Sequence, residues 1–149
     1  MRLLLSCLFL HWALANLWPA PWWLPDLTLA GLVVAIVNAP HRWAAPSLAA
    51  AAATAVWTVR DTGLIFLSLL AGGWTVRVCA EQWDLSDPRA KAVLAAAAAA
   101  VLQGVVLWRH GWWSWPLAGM WLMHAGVTGA AAGIIGSLAA DRRAPSPLV

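Results

Sequence analysis

Residues 115–140 read WPLAGMWLMHAGVTGAAAGIIGSLAA and contain no Asp, Glu, Lys or Arg. A helix needs about 20 apolar residues to cross the hydrocarbon core of a bilayer, and this segment exceeds that length. The whole chain shares its character, since 62% of its 149 residues are hydrophobic and 10% are charged. Globular domains are about 45–50% apolar and about 25% charged. A soluble protein this small could not bury so much apolar surface, so the sequence predicts an integral membrane protein.

Upstream of this segment, apolar runs alternate with breaks that contain Pro, Gly or charged residues. The pattern predicts an all-α, polytopic transmembrane helical bundle of about six short helices. Their predicted ranges are roughly Leu3–Trp18, Leu24–Ala39, Trp43–Val59, Gly63–Cys79, Ala90–Trp108 and Trp115–Ala140. The first four are shorter than a full span and are expected to use flanking Trp and Pro residues or to thin the bilayer. The third could instead be interfacial or buried.

The chain ends are expected to differ in character. The run after Met1-Arg2 resembles a signal peptide, but we interpret it as an uncleaved first helix. Residues 1–140 are predicted to form a single integral membrane domain. Residues 141–149 contain two prolines and are predicted to form a disordered cytoplasmic tail.

The placement of basic residues predicts the orientation. With the N-terminus in the cytoplasm, seven of the nine Lys and Arg residues face inward and two face outward, a clear positive-inside bias. The inner set is Arg2, Arg42, Arg77, Arg89, Lys91, Arg142 and Arg143, and the outer set is Arg60 and Arg109. Six helices then place both termini in the cytoplasm. The basic residues form no patch, so no nucleic acid partner is expected despite a pI near 9.7.

Thirteen tryptophans and no tyrosine give the chain an unusual aromatic composition. Many of them fall in the first and last predicted outer loops, where indole rings favour the lipid headgroup level. We interpret them as an aromatic belt in contact with membrane lipids; an aromatic cage for a cation is the less common alternative.

The sequence lacks the motifs of catalytic sites. It has no Ser-His-Asp arrangement, P-loop, HExxH or glycine-rich dinucleotide motif, so no enzyme activity, catalytic residue, cofactor or metal is predicted. Cys7 and Cys79 are expected to be inert core residues. Polar residues inside membrane helices are functional candidates, here His11, Asn16, Asn38, Arg77, Gln103, His124 and Thr128. His11 and His124 are the best candidates for a proton or metal site, although hydrogen bonding between helices is the commoner role.

Two features are candidates for partner binding. Leu24-Pro25-Asp26-Leu27 begins the second helix, where proline and an acidic residue favour a helix start. In the sixth helix, Gly126, Gly129 and Gly133 form a small-residue face that lets another helix approach closely. That face is expected to pack either against the Ala-rich fifth helix or against another protein. The predicted partner-binding residues are therefore Pro25, Asp26, Gly126, Gly129 and Gly133.

Several of these residues also support a family resemblance. Pro25-Asp26-Leu27, the stretch from Val56 to Leu64, and Leu69-Leu70-Ala71-Gly72-Gly73-Trp74 followed by Arg77 resemble the bacterial rod shape-determining protein MreD family over about residues 12–80. The resemblance implies a non-catalytic scaffold of the cell-elongation machinery, which synthesises peptidoglycan, in the bacterial inner membrane. The implied partners are the bitopic protein MreC, a class B penicillin-binding protein with its polymerase partner, and the actin-like filament protein.

Two other functions remain open from the sequence. Six short helices rich in Trp also suit a small membrane transporter or the substrate-binding subunit of a vitamin importer, and a pocket with convergent polar groups would favour that function. An accessory subunit of a photosynthetic or respiratory complex is the third possibility, which bound pigment or haem would reveal.

Overall fold

The computed structural model describes residues 2–17, 24–57, 62–111 and 114–141. These residues form six α-helices, as predicted, and one 3-10 turn at Pro40–Arg42. The helices are α1 (Arg2–Leu17), α2 (Leu27–Asn38), α3 (Ala44–Trp57), α4 (Thr62–Gln82), α5 (Pro88–His110) and α6 (Trp115–Asp141). Three of them, α4, α5 and α6, are long and apolar enough to cross a membrane, and the other three are shorter apolar helices. The chain therefore has the architecture of a helical membrane protein.

Three predicted features lie outside the described residues. They are the Pro-Trp loop at 18–23, the break at 58–61 and all of the predicted 141–149 tail except Asp141, which is the last residue of α6.

Two helices begin two or three residues away from the predicted start, and acidic caps explain both differences. Helix α2 begins at Leu27 rather than Leu24, because the Asp26 carboxylate accepts the free backbone N–H of Leu29 at 2.9 Å. Helix α5 begins at Pro88 rather than Ala90. There the Asp87 carboxylate accepts a backbone N–H at 2.8 Å, and proline occupies the first turn, where its missing N–H costs nothing.

Two helices also end two or three residues later than predicted. Helix α4 continues to Gln82. Its last turns are stabilised by an ion pair between Arg77 and Glu81, which lie one turn apart with 2.9 Å between the side-chain nitrogen and oxygen. Helix α5 continues to His110 and is terminated by Gly111, whose φ of 65° lies in the left-handed region that favours glycine.

Helix α2 lies at the centre of the bundle. It packs against each of the other five helices, and nine of its 12 residues are buried. Such a helix is apolar on every side, as its sequence LTLAGLVVAIVN shows. Its 12 residues span only about 18 Å. Because protein surrounds it, its shortness requires no thinning of the lipid, and space remains beyond both of its ends.

Small residues allow the helices to approach closely around this centre. A Cβ at Gly31 of α2 would lie 2.8 Å from the Cβ of Cys7 in α1. A Cβ at Gly73 of α4 would overlap the hydroxyl of Ser47 in α3. These contacts place the buried Cys7 in the core, as predicted, whereas Cys79 is half-buried.

The directions of the helices follow from their cross-contacts. Gly104 of α5 is close to Trp121 of α6, whereas Lys91 is close to Gly136, so α5 and α6 are antiparallel. The start of α2 contacts the middle of α6, and the last residues of both helices border one cleft, so α2 and α6 are parallel.

Candidate functional site

The first residues of α2 are fixed to the middle of α6. The backbone N–H of Asp26 donates to the hydroxyl of Thr128, with 3.0 Å between the nitrogen and oxygen. Thr128 is fully buried. With the carboxylate capping Leu29, Asp26 uses both its main chain and its side chain to define where α2 begins.

A cavity of about 440 Å³ lies beyond this end of α2, and we call it the Asp26 cavity. Its walls come from α3, α4, α5 and α6, which continue past the start of the short central helix. The lining residues are Asp26, Thr54, Ile65, Leu102, Gln103, Val106, Leu107, Leu117, Met120, Trp121 and His124. The volume falls in the range of about 300–1,000 Å³ that is typical of small-molecule sites.

Trp121 holds one wall of the cavity in place. Its indole N–H donates to the carbonyl of Ala100 on α5 at 2.8 Å, and its ring lies 3.3 Å from the position of a Cβ at Gly104. A larger residue at position 104 would push the ring away. The wall between α5 and α6 is therefore stabilised by the hydrogen bond of this half-buried indole.

The lining is mostly apolar, with four polar side chains from four different parts of the chain. Asp26 contributes a carboxylate, Gln103 an amide, His124 an imidazole and Thr54 a hydroxyl that donates to the Ala50 carbonyl at 2.8 Å. An apolar cavity with a few polar groups can orient a small organic molecule by hydrogen bonds. Over the described ranges, no three His, Cys, Asp or Glu residues are grouped to hold a metal ion.

The five predicted partner-binding residues occupy different environments. Pro25 and Asp26 are half-buried at the start of α2. A Cβ at Gly129 would lie 2.6 Å from the Ala92 carbonyl oxygen, and one at Gly133 would lie 3.2 Å from the Ala92 Cβ. That face is thus used for packing between α5 and α6, whereas Gly126 is exposed with open space around it. Partner binding at the five residues stays a prediction.

The other polar candidates do not form one cluster. Gln103 and His124 share the Asp26 cavity, and Thr128 lies beneath it. Asn16 is exposed on the surface of the bundle and donates to the Trp12 carbonyl of its own helix, so it is not part of a buried polar site.

His11 and His124, the two candidates for a proton or metal site, do not lie in the same cavity. His11 is on α1 and does not line the cavity to which His124 belongs. Its Nδ1 atom is buried without a hydrogen-bond partner in the described part of the chain.

Sequence reasoning missed the burial of Lys91, which it had treated only as a cytoplasmic charge. The side chain is 4% exposed and lies with Ala95 and Ala99 on the buried face of α5. The four-residue spacing of these three residues was a signal, because positions i, i+4 and i+8 share one helix face. Thr54 was also missed, since one hydroxyl in an Ala-rich helix carries no distinguishing pattern.

Comparison of the chain with protein-family models, curated proteins and solved structures found no match in any of the three.

Proposed function

We propose that the chain is a non-catalytic membrane scaffold of the bacterial cell-elongation machinery, similar to MreD. It would cross the inner membrane six times with both termini in the cytoplasm. The sequence resemblance motivates the proposal, and its Pro25-Asp26-Leu27 element corresponds to the cap and first residue of the central helix. A motif that caps and begins the central helix serves to build the bundle and not to form a reactive centre.

One observation supports a scaffold in particular. Between the described helices the chain is short, with five residues, Trp83 to Asp87, connecting α4 to α5. A protein with so little chain outside its helices must recognise other proteins largely through helix faces. Its partners would be an MreC-like bitopic protein and a class B penicillin-binding protein with its polymerase partner.

Gly126 offers the best test of a helix interface. It is exposed on α6, a Cβ there would meet nothing within 4 Å, and the exposed Ala130 lies one turn further along. Small residues one turn apart allow a second helix to approach closely. Gly129 and Gly133 are poorer test sites, because α5 already packs on them.

The experiment is copurification in mild detergent from cells that also make the bitopic protein and the penicillin-binding protein. We expect Gly126→Leu to reduce recovery of the bitopic partner several-fold without unfolding the chain. Gly72→Leu is the matched control, because position 72 on α4 also has open space around it. No copurification of either partner with the wild-type chain would refute the scaffold proposal.

A second function, substrate binding for a small transporter or vitamin importer, is favoured by the Asp26 cavity. The test is equilibrium dialysis of purified protein in nanodiscs with thiamine, riboflavin and biotin. Saturable binding that Gln103→Leu weakens would support this function. Absence of binding to the whole set would leave the cavity as a packing feature of the scaffold.

A further inference from the structure

A second opening lies at the opposite end of the bundle, where α2, α4 and α6 finish. It has a volume of about 430 Å³, and we call it the Lys91 cleft. Its polar lining comes from Asn38, Asp84, Ser86 and Lys91, and Trp83 stands at its edge with 61% of its surface exposed. Arg42 and Arg89 also lie at this end of the bundle and are exposed.

Lys91 is the unusual member of this group. Its side chain is 4% exposed, and its methylene stem crosses Gly136 of α6, where a Cβ would lie 3.0 Å from the lysine Cδ. Within the described ranges, its ammonium group forms no ion pair or hydrogen bond with another residue. No carboxylate that the structure describes pairs with this mostly buried side chain, so its ammonium group is positioned at the cleft to bind an anion.

Asp84 supplies the opposite charge in the same cleft. Its carboxylate accepts the backbone N–H of Ser86 at 3.0 Å. Hydrogen bonds from the Ser86 backbone and hydroxyl hold the pKa of Asp84 below its usual value, so the group is ionised at neutral pH. Because it forms no ion pair with Lys91, the cleft presents a separated positive and negative charge. A simple anion would face Asp84 unfavourably, whereas a zwitterion satisfies both groups.

We propose that the Lys91 cleft binds the headgroup of an aminophospholipid such as phosphatidylethanolamine. The phosphate would bind the Lys91 ammonium, with the Asn38 amide beside it, and the primary ammonium of the lipid would bind Asp84. Trp83 would lie at the headgroup level, where indole rings favour the membrane interface, and the apolar Val37 and Leu85 would border the glycerol region. The proposal needs only that the bundle is embedded in a membrane, and it is independent of the scaffold function.

Native mass spectrometry of the full chain can test this by titration with phosphatidylethanolamine, phosphatidylcholine and phosphatidylglycerol of identical acyl chains. We expect phosphatidylethanolamine to bind about tenfold more tightly than phosphatidylcholine, because the choline nitrogen has no N–H to donate to Asp84. Lys91→Met keeps the stem over Gly136 and should weaken phosphatidylethanolamine binding about tenfold or more. Arg89→Met is the matched control, because Arg89 is exposed on the same helix, and it should bind as the wild type does.

A second variant and a second ligand keep the test decisive. Asp84 lies outside the helices, so binding to an Asp84→Asn variant can be measured even if Lys91→Met fails to fold. We expect Asp84→Asn to abolish the preference for phosphatidylethanolamine over phosphatidylglycerol. Unchanged binding by folded Lys91→Met, or equal affinity of the wild type for all three lipids, would overturn the proposal. Displacement of bound lipid by millimolar inorganic phosphate would assign the cleft to the free anion and overturn it also.

Discussion

At the scale of single residues, Asp26 and Thr128 determine where the central helix begins. The Asp26 carboxylate replaces the hydrogen bond that the first turn of α2 lacks, and its backbone N–H donates to the hydroxyl of the fully buried Thr128. One buried oxygen atom on α6 therefore fixes the depth of α2 in the bundle.

We expect Thr128→Val to destabilise the protein by about 1–3 kcal/mol, because it keeps the side-chain shape but leaves the Asp26 N–H without an acceptor. Thr128→Ser is the control, since it retains the oxygen and loses one methyl group. The measurement is the midpoint of thermal unfolding in detergent, followed by circular dichroism. Equal midpoints for the two variants would show that the 3.0 Å contact contributes little.

The same residues show what sequence can and cannot predict. The role of Asp26 in starting a helix was predictable, because capping depends on neighbours within one turn of the chain. Its partner Thr128 was not, because that contact joins residues 102 positions apart. Lys91 lies on one face of α5 with Ala95 and Ala99, a spacing that the sequence shows. Its contact with Gly136 of another helix could not be predicted from that local spacing.

At the scale of helices, close packing of α5 on α6 depends on Gly129. A Cβ there would meet the Ala92 carbonyl oxygen at 2.6 Å and the Ala96 Cβ at 2.8 Å. A backbone oxygen cannot swing aside as a long side chain can, so the two helices would have to separate and lose dispersion contacts. Of the two possibilities left open for the small-residue face, packing against α5 is the one seen at Gly129 and Gly133, whereas Gly126 lies outside that contact.

We expect Gly129→Ala to lower the free energy of unfolding by about 1–3 kcal/mol. Gly126→Ala, three residues away on the exposed side, should leave it unchanged or slightly higher, since alanine favours helix more than glycine does. Denaturant titration of the two variants in the same detergent compares them directly. A folded Gly129→Ala protein as stable as Gly126→Ala would mean that α5 and α6 are not packed as described.

The crossing of α3 and α4 offers a second matched pair. A Cβ at Gly73 would overlap the Ser47 hydroxyl, whereas one at Gly72 would meet nothing within 4 Å. We expect Gly73→Ala to be destabilising and Gly72→Ala to be tolerated in thermal unfolding. Ser47→Ala in the Gly73→Ala background should restore part of the loss, because it removes the clashing oxygen. A double variant no more stable than Gly73→Ala would place the clash elsewhere.

At the scale of the whole molecule, the two cavities mark opposite ends of the bundle. Asp26 before α2, Ile65 of α4 and His124 of α6 border the Asp26 cavity, whereas Asn38, Ala80 and Ala140 of the same helices border the Lys91 cleft. Helices α2, α4 and α6 therefore run in one direction and α5 runs in the other. This alternation is what a chain that crosses a membrane repeatedly requires.

Charge distinguishes the two ends of the bundle. Arg77 pairs with Glu81 near the Lys91 cleft, and Arg42, Arg89 and Lys91 lie at that end as well. Arg109 lies at the other end, beside Trp108 and the start of α4. Since basic residues favour the cytoplasmic side, we predict that the Lys91 cleft faces the cytoplasm and the Asp26 cavity faces outward.

Single cysteines in a variant without Cys7 and Cys79 test this orientation in intact cells. We expect a membrane-impermeant maleimide to label Ser114→Cys, which precedes α6 at the outer end. It should not label Ser86→Cys, beside the Lys91 cleft, until the cells are permeabilised. Ser114 is preferable to the neighbouring Gly111, because the φ of 65° at Gly111 would strain a cysteine. Labelling of Ser86→Cys from outside would show that the bundle has the opposite orientation, with the Lys91 cleft in contact with the outer leaflet.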